Sequence, residues 1–229
     1  TIMAILTGGF VGLLNGVLVT YLKINPLITT LATFSIIRGL AFVLSEGQTN
    51  QLSNPAFNFI GRGDILGIPF SLIVMILLYL LFAFIMRYTA FGRNLYAIGG
   101  SPEASRLAGI AVTPHLLIVY TLSGLLAAFA GILTVSQLAS SAPRAATGLE
   151  FTVITAVVLG GTSLSGGKGT LIGTIIGVII LRILNNGLVL MEVSSFYQDV
   201  ARGVVLILAV GFDQIRIKIM LLQQRRQKP

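Results

Sequence analysis

The stretch Gly160-Gly-Thr-Ser-Leu-Ser-Gly-Gly-Lys-Gly-Thr170 carries the glycines and the lysine from which phosphate-binding loops are made. Such a loop needs a glycine, four residues, then Gly-Lys and Ser or Thr, so that backbone N–H groups wrap the phosphates and the lysine reaches them. Counting back from Gly167-Lys168 puts Thr162 at the glycine position, and Lys168 is followed by Gly169. The spacing fails twice, so ATP binding is not expected of this chain. Gly160, Gly161, Gly166, Gly167 and Gly169 are read instead as structural glycines of a tight, irregular turn at a membrane edge, where backbone groups must be buried in protein or wetted. A place in a substrate path is the alternative. Cysteine is absent, which excludes disulfides and thiolate metal sites, and the single histidine, His115, cannot form a metal cluster. No catalytic, cofactor or metal site is expected, and His115 is read as marking a helix start.

The elements that must position these residues are membrane helices. Hydrophobic residues make up 55% of the 229 residues and charged ones only 10%, against roughly 25% charged in a soluble domain. A spanning helix needs about 20 mostly apolar residues. Runs of that kind lie at about 2–22, 27–45, 68–87, 116–138, 170–190 and 197–213, and a shorter one at 150–161 either crosses or only re-enters. The fold class expected is all-α, a polytopic transmembrane helical bundle with about seven crossings, forming a single transmembrane domain over 1–229. The formal net charge of +8 does not signal nucleic acid, because most basic residues sit at the ends of apolar runs. With 88–115 and a basic tail, 214–229, placed in the cytoplasm, ten of the fifteen Lys and Arg residues fall inside. The 46–67 loop then lies outside. This arrangement requires 150–161 to help cross. It also puts Thr1 outside, and the chain opens within an apolar run with no signal peptide; a missing upstream segment is expected.

Gly8, Gly12 and Gly16 repeat at four-residue spacing, and so do Gly169, Gly173 and Gly177. That spacing puts three glycines on one helix face, where backbones can approach closely. Each ladder is associated with an Asn-Gly pair, Asn15-Gly16 or Asn186-Gly187, and an Arg-Gly pair follows in the next helix, Arg38-Gly39 or Arg202-Gly203. The copies run in opposite directions, as an inverted repeat would. The alternative is that glycine is simply common in membrane helices.

The segment Phe91–His115 is too polar to cross the membrane. Ser101 can cap a helix with Pro102 at its first position, residues 103–108 can continue it, and Gly109 can end it. Glu103 and Arg106 are spaced to pair on its surface. A short helix held between two spanning helices is a rigid handle: whatever pushes it moves both neighbours. An ordinary structured loop is the alternative.

This segment resembles the cytoplasmic loop of bacterial ribose-type sugar ABC permeases. It matches their pattern at Gly92, Asn94, Ala97, Gly99, Gly100, Ala104, Gly109 and Ile110, and departs at Ser101 and Ala108, where the family usually has asparagine and serine. The run Ala156–Gly169 resembles the family's glycine-rich signature, and Leu184–Leu188 and Ser194–Gln198 are also similar. The resemblance covers nearly the whole chain. It implies about ten crossings in the full-length family, about three helices preceding this sequence, and a multi-pass location in the bacterial inner (plasma) membrane.

The resemblance also implies partners: an ATP-binding subunit that holds ATP and Mg, a periplasmic sugar-binding protein, and a second permease subunit, identical or not. No cofactor is implied in this chain itself. The ATPase contact is assigned to Gly99, Gly100, Ser101, Glu103, Ala104, Arg106, Leu107 and Gly109, within the coupling loop 88–115. The segments 46–67 and 140–148 would face the binding protein. Sugars are neutral and hydroxyl-rich, so Asn15, Asn185 and Asn186 are candidates for the substrate path, with interhelical hydrogen bonding as the alternative. Arg38, Arg182 and Arg202 also lie within spans, where arginine can snorkel toward the interface. Two rivals are weighed: a branched-chain amino acid permease of the same superfamily, and an ion-coupled secondary transporter. The seven acids fall in loops or near helix ends, not at midplane, which argues against ion coupling.

Overall fold

The computed structural model describes residues 1–226, with side chains through residue 211. The chain forms two compact units, one of Thr1–Gly92 with Ala104–Ala145, the other of Arg93–Glu103 with the chain from Ala146 onward.

The first unit opens with α1 (Ile2–Thr20) and α2 (Pro26–Ser45). Asn25-Pro26 starts α2: the Asn25 side chain accepts the Leu27 N–H at 2.9 Å, and proline is preset for a first helical position. A two-residue strand, β1 (Asn50–Gln51), leads to α3 (Pro55–Arg62), which Asn54 caps in the same way. A hairpin of β2 (Asp64–Ile65) and β3 (Ile68–Pro69) enters α4 (Phe70–Tyr88). After α5 (Ala90–Gly100) and α6 (Pro102–Leu107) comes α7 (Val112–Leu138), then β4 (Ser140–Ser141), which pairs antiparallel with β1. The main packing of this unit is α1 on α7, with α3 docked on α7 as well. The α1 ladder makes this possible. A Cβ on Gly12 would overlap the Tyr120 carbonyl, and one on Gly8 would overlap Gly124 and Ala128.

The second unit holds residues 93–100 of α5 with α8 (Leu149–Leu159), α9 (Leu171–Leu190) and α10 (Ser195–Arg226). Here α8 packs on both α9 and α10. Gly177 lies against the Ala156 carbonyl and Gly173 against that of Gly160, again with no room for a Cβ.

Among the described residues, five helices are long and apolar enough to cross a membrane: α1, α2, α4, α7 and α9. Their large apolar side chains are mostly exposed, Phe10 and Leu80 at 62% each, and α4 has no buried residue at all. That surface suits lipid. At 11 residues, α8 rises about 16 Å, roughly half of a ~30 Å hydrocarbon core. If the 150–161 run crosses, the non-helical residues around it must supply the remaining depth. The expected 197–213 span lies within α10. The backbone continues as one helix to Arg226, and the side chains of the basic tail lie outside the described residues, as do 227–229 entirely.

The structure corrects several expectations. The 88–115 segment is mostly helical, because α5 is an 11-residue helix that was not anticipated. The following span begins at Val112, with Pro114 tolerated in its first turn, rather than at 116. The 46–67 segment is not a plain loop but carries α3 and two short strand pairings. The second glycine ladder is not one helix face: Gly169 precedes the Thr170 cap of α9, and only Gly173 and Gly177 lie in the helix. The repeat also fails in packing, since Gly16 is pressed against Leu117 and Tyr120 whereas Gly187 has open space around it.

Candidate functional site

Two motifs far apart in sequence meet in the second unit. Along α5, Phe91, Leu95 and Ile98 fall on one face at helical spacing, and Ile98 is only 3% exposed. The Gly99-Gly100 end of this helix lies against the turn at Gly166-Gly167. A Cβ added to Gly99 would sit 2.5 Å from the Gly167 nitrogen, and one on Gly167 would sit 2.7 Å from the Gly100 Cα. One turn earlier, the Tyr96 hydroxyl donates to the Gly169 carbonyl at 2.9 Å.

The turn itself is built from the end of α8. Gly161, at φ +86°, takes the left-handed position after the helix, and the Thr162 N–H returns to the Val157 carbonyl at 3.1 Å. The Ser163 N–H donates to the Lys168 carbonyl at 3.0 Å, which closes the loop. Gly169 leaves no space beside the Thr162 side chain, and Gly160 none beside Gly173. Thr170 then starts α9, its hydroxyl accepting the Gly173 N–H at 3.0 Å. Gly166 and Gly167 are occupied by backbone contacts with α5 and Gly160 by one with α9, whereas Gly169 meets the Thr162 side chain within the turn.

Ser101 separates α5 from α6, and Pro102 opens α6. Gly109, at φ +83°, ends the segment: the Ile110 N–H reaches back to the Ser105 carbonyl at 2.9 Å. Ser101, Glu103, Ala104, Arg106 and Gly109 are exposed, and Leu107 presents 88% of its surface. Ser105 faces inward, at 4%. The anticipated Glu103–Arg106 pair is not formed among the described residues. His115 lies in the first turn of α7, with Nδ1 2.7 Å from the Ala111 carbonyl and its ring stacked on Phe91.

The three candidate path asparagines fall in two different units. Asn15 accepts the Thr33 hydroxyl at 2.8 Å, an interhelical bond between α1 and α2. Asn185 and Asn186 lie on α9 in the other unit, and with Arg182, Ile183 and Val189 they line an open pocket of about 440 Å³. The Asn185 Oδ1 is buried and has no hydrogen-bond partner. On α10, Arg202 pairs with Asp199 at 2.8 Å, while its Nε is buried without a partner. Arg38 lies over the Phe34 ring at 4.3 Å.

Sequence reasoning missed α5 and Tyr96. The Phe91, Leu95, Ile98 stripe is the signal that could have found the helix, but Gly92, Gly99 and Gly100 mask it because glycine is a poor helix former. Nothing in either motif alone announces that they touch.

A family described as branched-chain amino acid transport system / permease component matches residues 1–210. The chain is 47% identical over 202 residues to the ribose import permease protein of Bacillus subtilis, covering 87% of this chain and 63% of that one. It is 43% identical over 212 residues to the L-arabinose ABC transporter permease protein of Azospirillum brasilense, covering 93% and 62%. To the ribose import permease protein of Escherichia coli K12 it is 43% identical over 214 residues, covering 92% and 67%. The chain thus spans about three-fifths to two-thirds of the length of these relatives. No solved structure matches it.

Proposed function

The chain belongs to the ABC-importer permease family, as a multi-pass inner-membrane protein, and from that premise we propose that it is the membrane-spanning part of a monosaccharide importer. The observation that carries this reading is the identity of 43–47% to permeases named for ribose and arabinose across most of the chain. In the proposed cycle a periplasmic binding protein delivers the sugar to the face formed by 46–67 and 140–148. A partner subunit binds ATP and Mg and hydrolyses ATP, and two permease subunits form the path.

The permease must contact that ATPase differently in its two states to be driven at all. We assign the contact to the 99–109 segment, where α6 offers exposed Leu107 and Ala104. The buried, unpaired Asn185 acceptor lies beside an open pocket of mixed polar and apolar lining, and a hydroxyl donor that reached it would satisfy it. Asn15 is committed to Thr33, so a helix-joining role fits it better than substrate contact.

The amino acid alternative is kept by the description of the matching family. Uptake assays on the full-length protein, reconstituted with its ATPase and binding protein, separate the two. ATP-dependent accumulation of ribose or arabinose is expected. Accumulation of leucine without any sugar uptake would overturn the sugar reading.

A further inference from the structure

We propose that Tyr96 and the Gly99-Gly100 pair are positioning residues of the transport cycle, holding the Gly160–Thr170 turn to α5 so that movement of the coupling segment passes into α8 and α9. The inference rests on the proposed function, since it presumes that a partner ATPase moves this segment.

Motion crosses a contact faithfully only if the contact cannot absorb it. Side chains have alternative rotamers and can take up part of a displacement. At Gly99 and Gly167 there are no side chains: backbone meets backbone, closely enough that a single Cβ would collide. Close-packed contacts of this kind have low compressibility and transmit strain. The Tyr96 hydroxyl adds a directional bond to Gly169 beside the steric contact, which resists sliding.

The turn has no slack on its far side either. It follows directly from the α8 C-cap at Gly160 and ends at the α9 N-cap, Thr170. The two helices then touch through Gly160 on Gly173 and Ala156 on Gly177, again with no Cβ between them. From α5 to α9 the route is therefore a series of backbone contacts. Consistent with this, residues 93–103 group with the C-terminal helices and not with α4 and α7, which flank the segment in sequence. The route ends on the helix that carries Asn185 and Asn186.

The test uses the full-length permease with its ATPase and binding protein in proteoliposomes, comparing wild type with Tyr96→Phe and Gly99→Ala. Sugar transported per ATP hydrolysed is measured, together with co-purification of the ATPase. In Tyr96→Phe, which lies outside the assigned ATPase contact, assembly and hydrolysis are expected to stay near wild type while sugar per ATP falls by about twofold; in Gly99→Ala, which lies within that contact, sugar per ATP is expected to fall by about fivefold in the complexes that assemble. If Gly99→Ala does not assemble, Tyr96→Phe decides alone, because it removes one hydroxyl and leaves the packing intact. An unchanged ratio, or hydrolysis and transport falling in proportion, would mark these residues as merely structural and overturn the proposal. A wild-type complex that moves no sugar on ATP would instead sink the underlying functional reading.

Discussion

The Ser136 hydroxyl accepts the Gly61 N–H at 2.7 Å and donates to the Phe57 carbonyl at 2.7 Å, so one fully buried side chain on α7 holds both ends of a turn of α3. Arg62 adds a bond from its Nε to the Gln137 carbonyl, and β1 pairs with β4 nearby. The segment between α2 and α4 is thereby fastened to the end of α7.

Ser136→Ala removes both bonds and leaves a buried N–H without its partner, a cost of about 1–3 kcal/mol. Hydrogen exchange over 46–67 is expected to accelerate, with ATPase association unchanged. Wild-type exchange in that segment would show that α3 is held by other contacts.

Gly12 and Gly131 are both helix-interior glycines, but only Gly12 faces a neighbour. Gly12→Val should destabilise the detergent-solubilised full-length protein by about 1–3 kcal/mol through overpacking against Tyr120. Gly131→Ala meets nothing within 4 Å and should shift stability by no more than about 1 kcal/mol. Thermal melting of the two variants side by side reads the contrast.

Sidedness is checked with single cysteines, since the chain has none of its own. Gln51→Cys should react with an impermeant thiol reagent on intact cells. Ser105 is unsuitable as the inside reporter, because at 4% exposure it would stay unlabelled on either side. Arg93→Cys, exposed in the same segment but outside the assigned ATPase contact, should label only after permeabilisation. Labelling of Arg93→Cys from outside would reverse the topology.

The ATPase contact is tested at the same exposed surface. Leu107→Asp and Ala104→Arg should insert and fold normally, because both positions are exposed in the permease. Transport is expected to fall about tenfold or more, with the ATPase co-purifying poorly, since a small docking contact depends on a few side chains. Glu103→Ala should change little, as it forms no ion pair with Arg106. Normal uptake in both charged variants would remove 99–109 from the interface.

The Gly160–Thr170 turn predicts a fifth outcome. The purified permease alone should show no saturable ATP binding, and Lys168→Ala should leave that unchanged. Binding that disappears with Lys168→Ala would mean the turn opens into a phosphate cradle.

Much of this architecture was legible because long apolar runs are a simple signal: α1, α2, α4, α7 and α9 fall within a few residues of the expected spans. The functional surfaces were harder. Ser101, Pro102 and Gly109 announce α6 through local chemistry, but α5 is disguised by its own glycines. The spacing of Gly169, Gly173 and Gly177 misled, because four-residue periodicity places residues on one face only where the chain is helical, and Thr170 starts the helix after Gly169. The contact of Gly99 with Gly167 joins residues 68 positions apart, and glycine carries no side chain whose chemistry could name its partner.

The pairing of α1 with α7 has a consequence for how the protein is made. The two helices are separated by about 90 residues of chain, and α1 leaves the ribosome first. At about 5–20 residues per second, its glycine face waits on the order of 5–20 seconds before α7 exists to cover it. During that interval α1 sits in lipid with Gly8, Gly12 and Gly16 unmatched. Biogenesis of this protein therefore includes a late docking step, and the synthesis rate of the intervening segment sets how long the newly inserted α1 stays open to wrong partners.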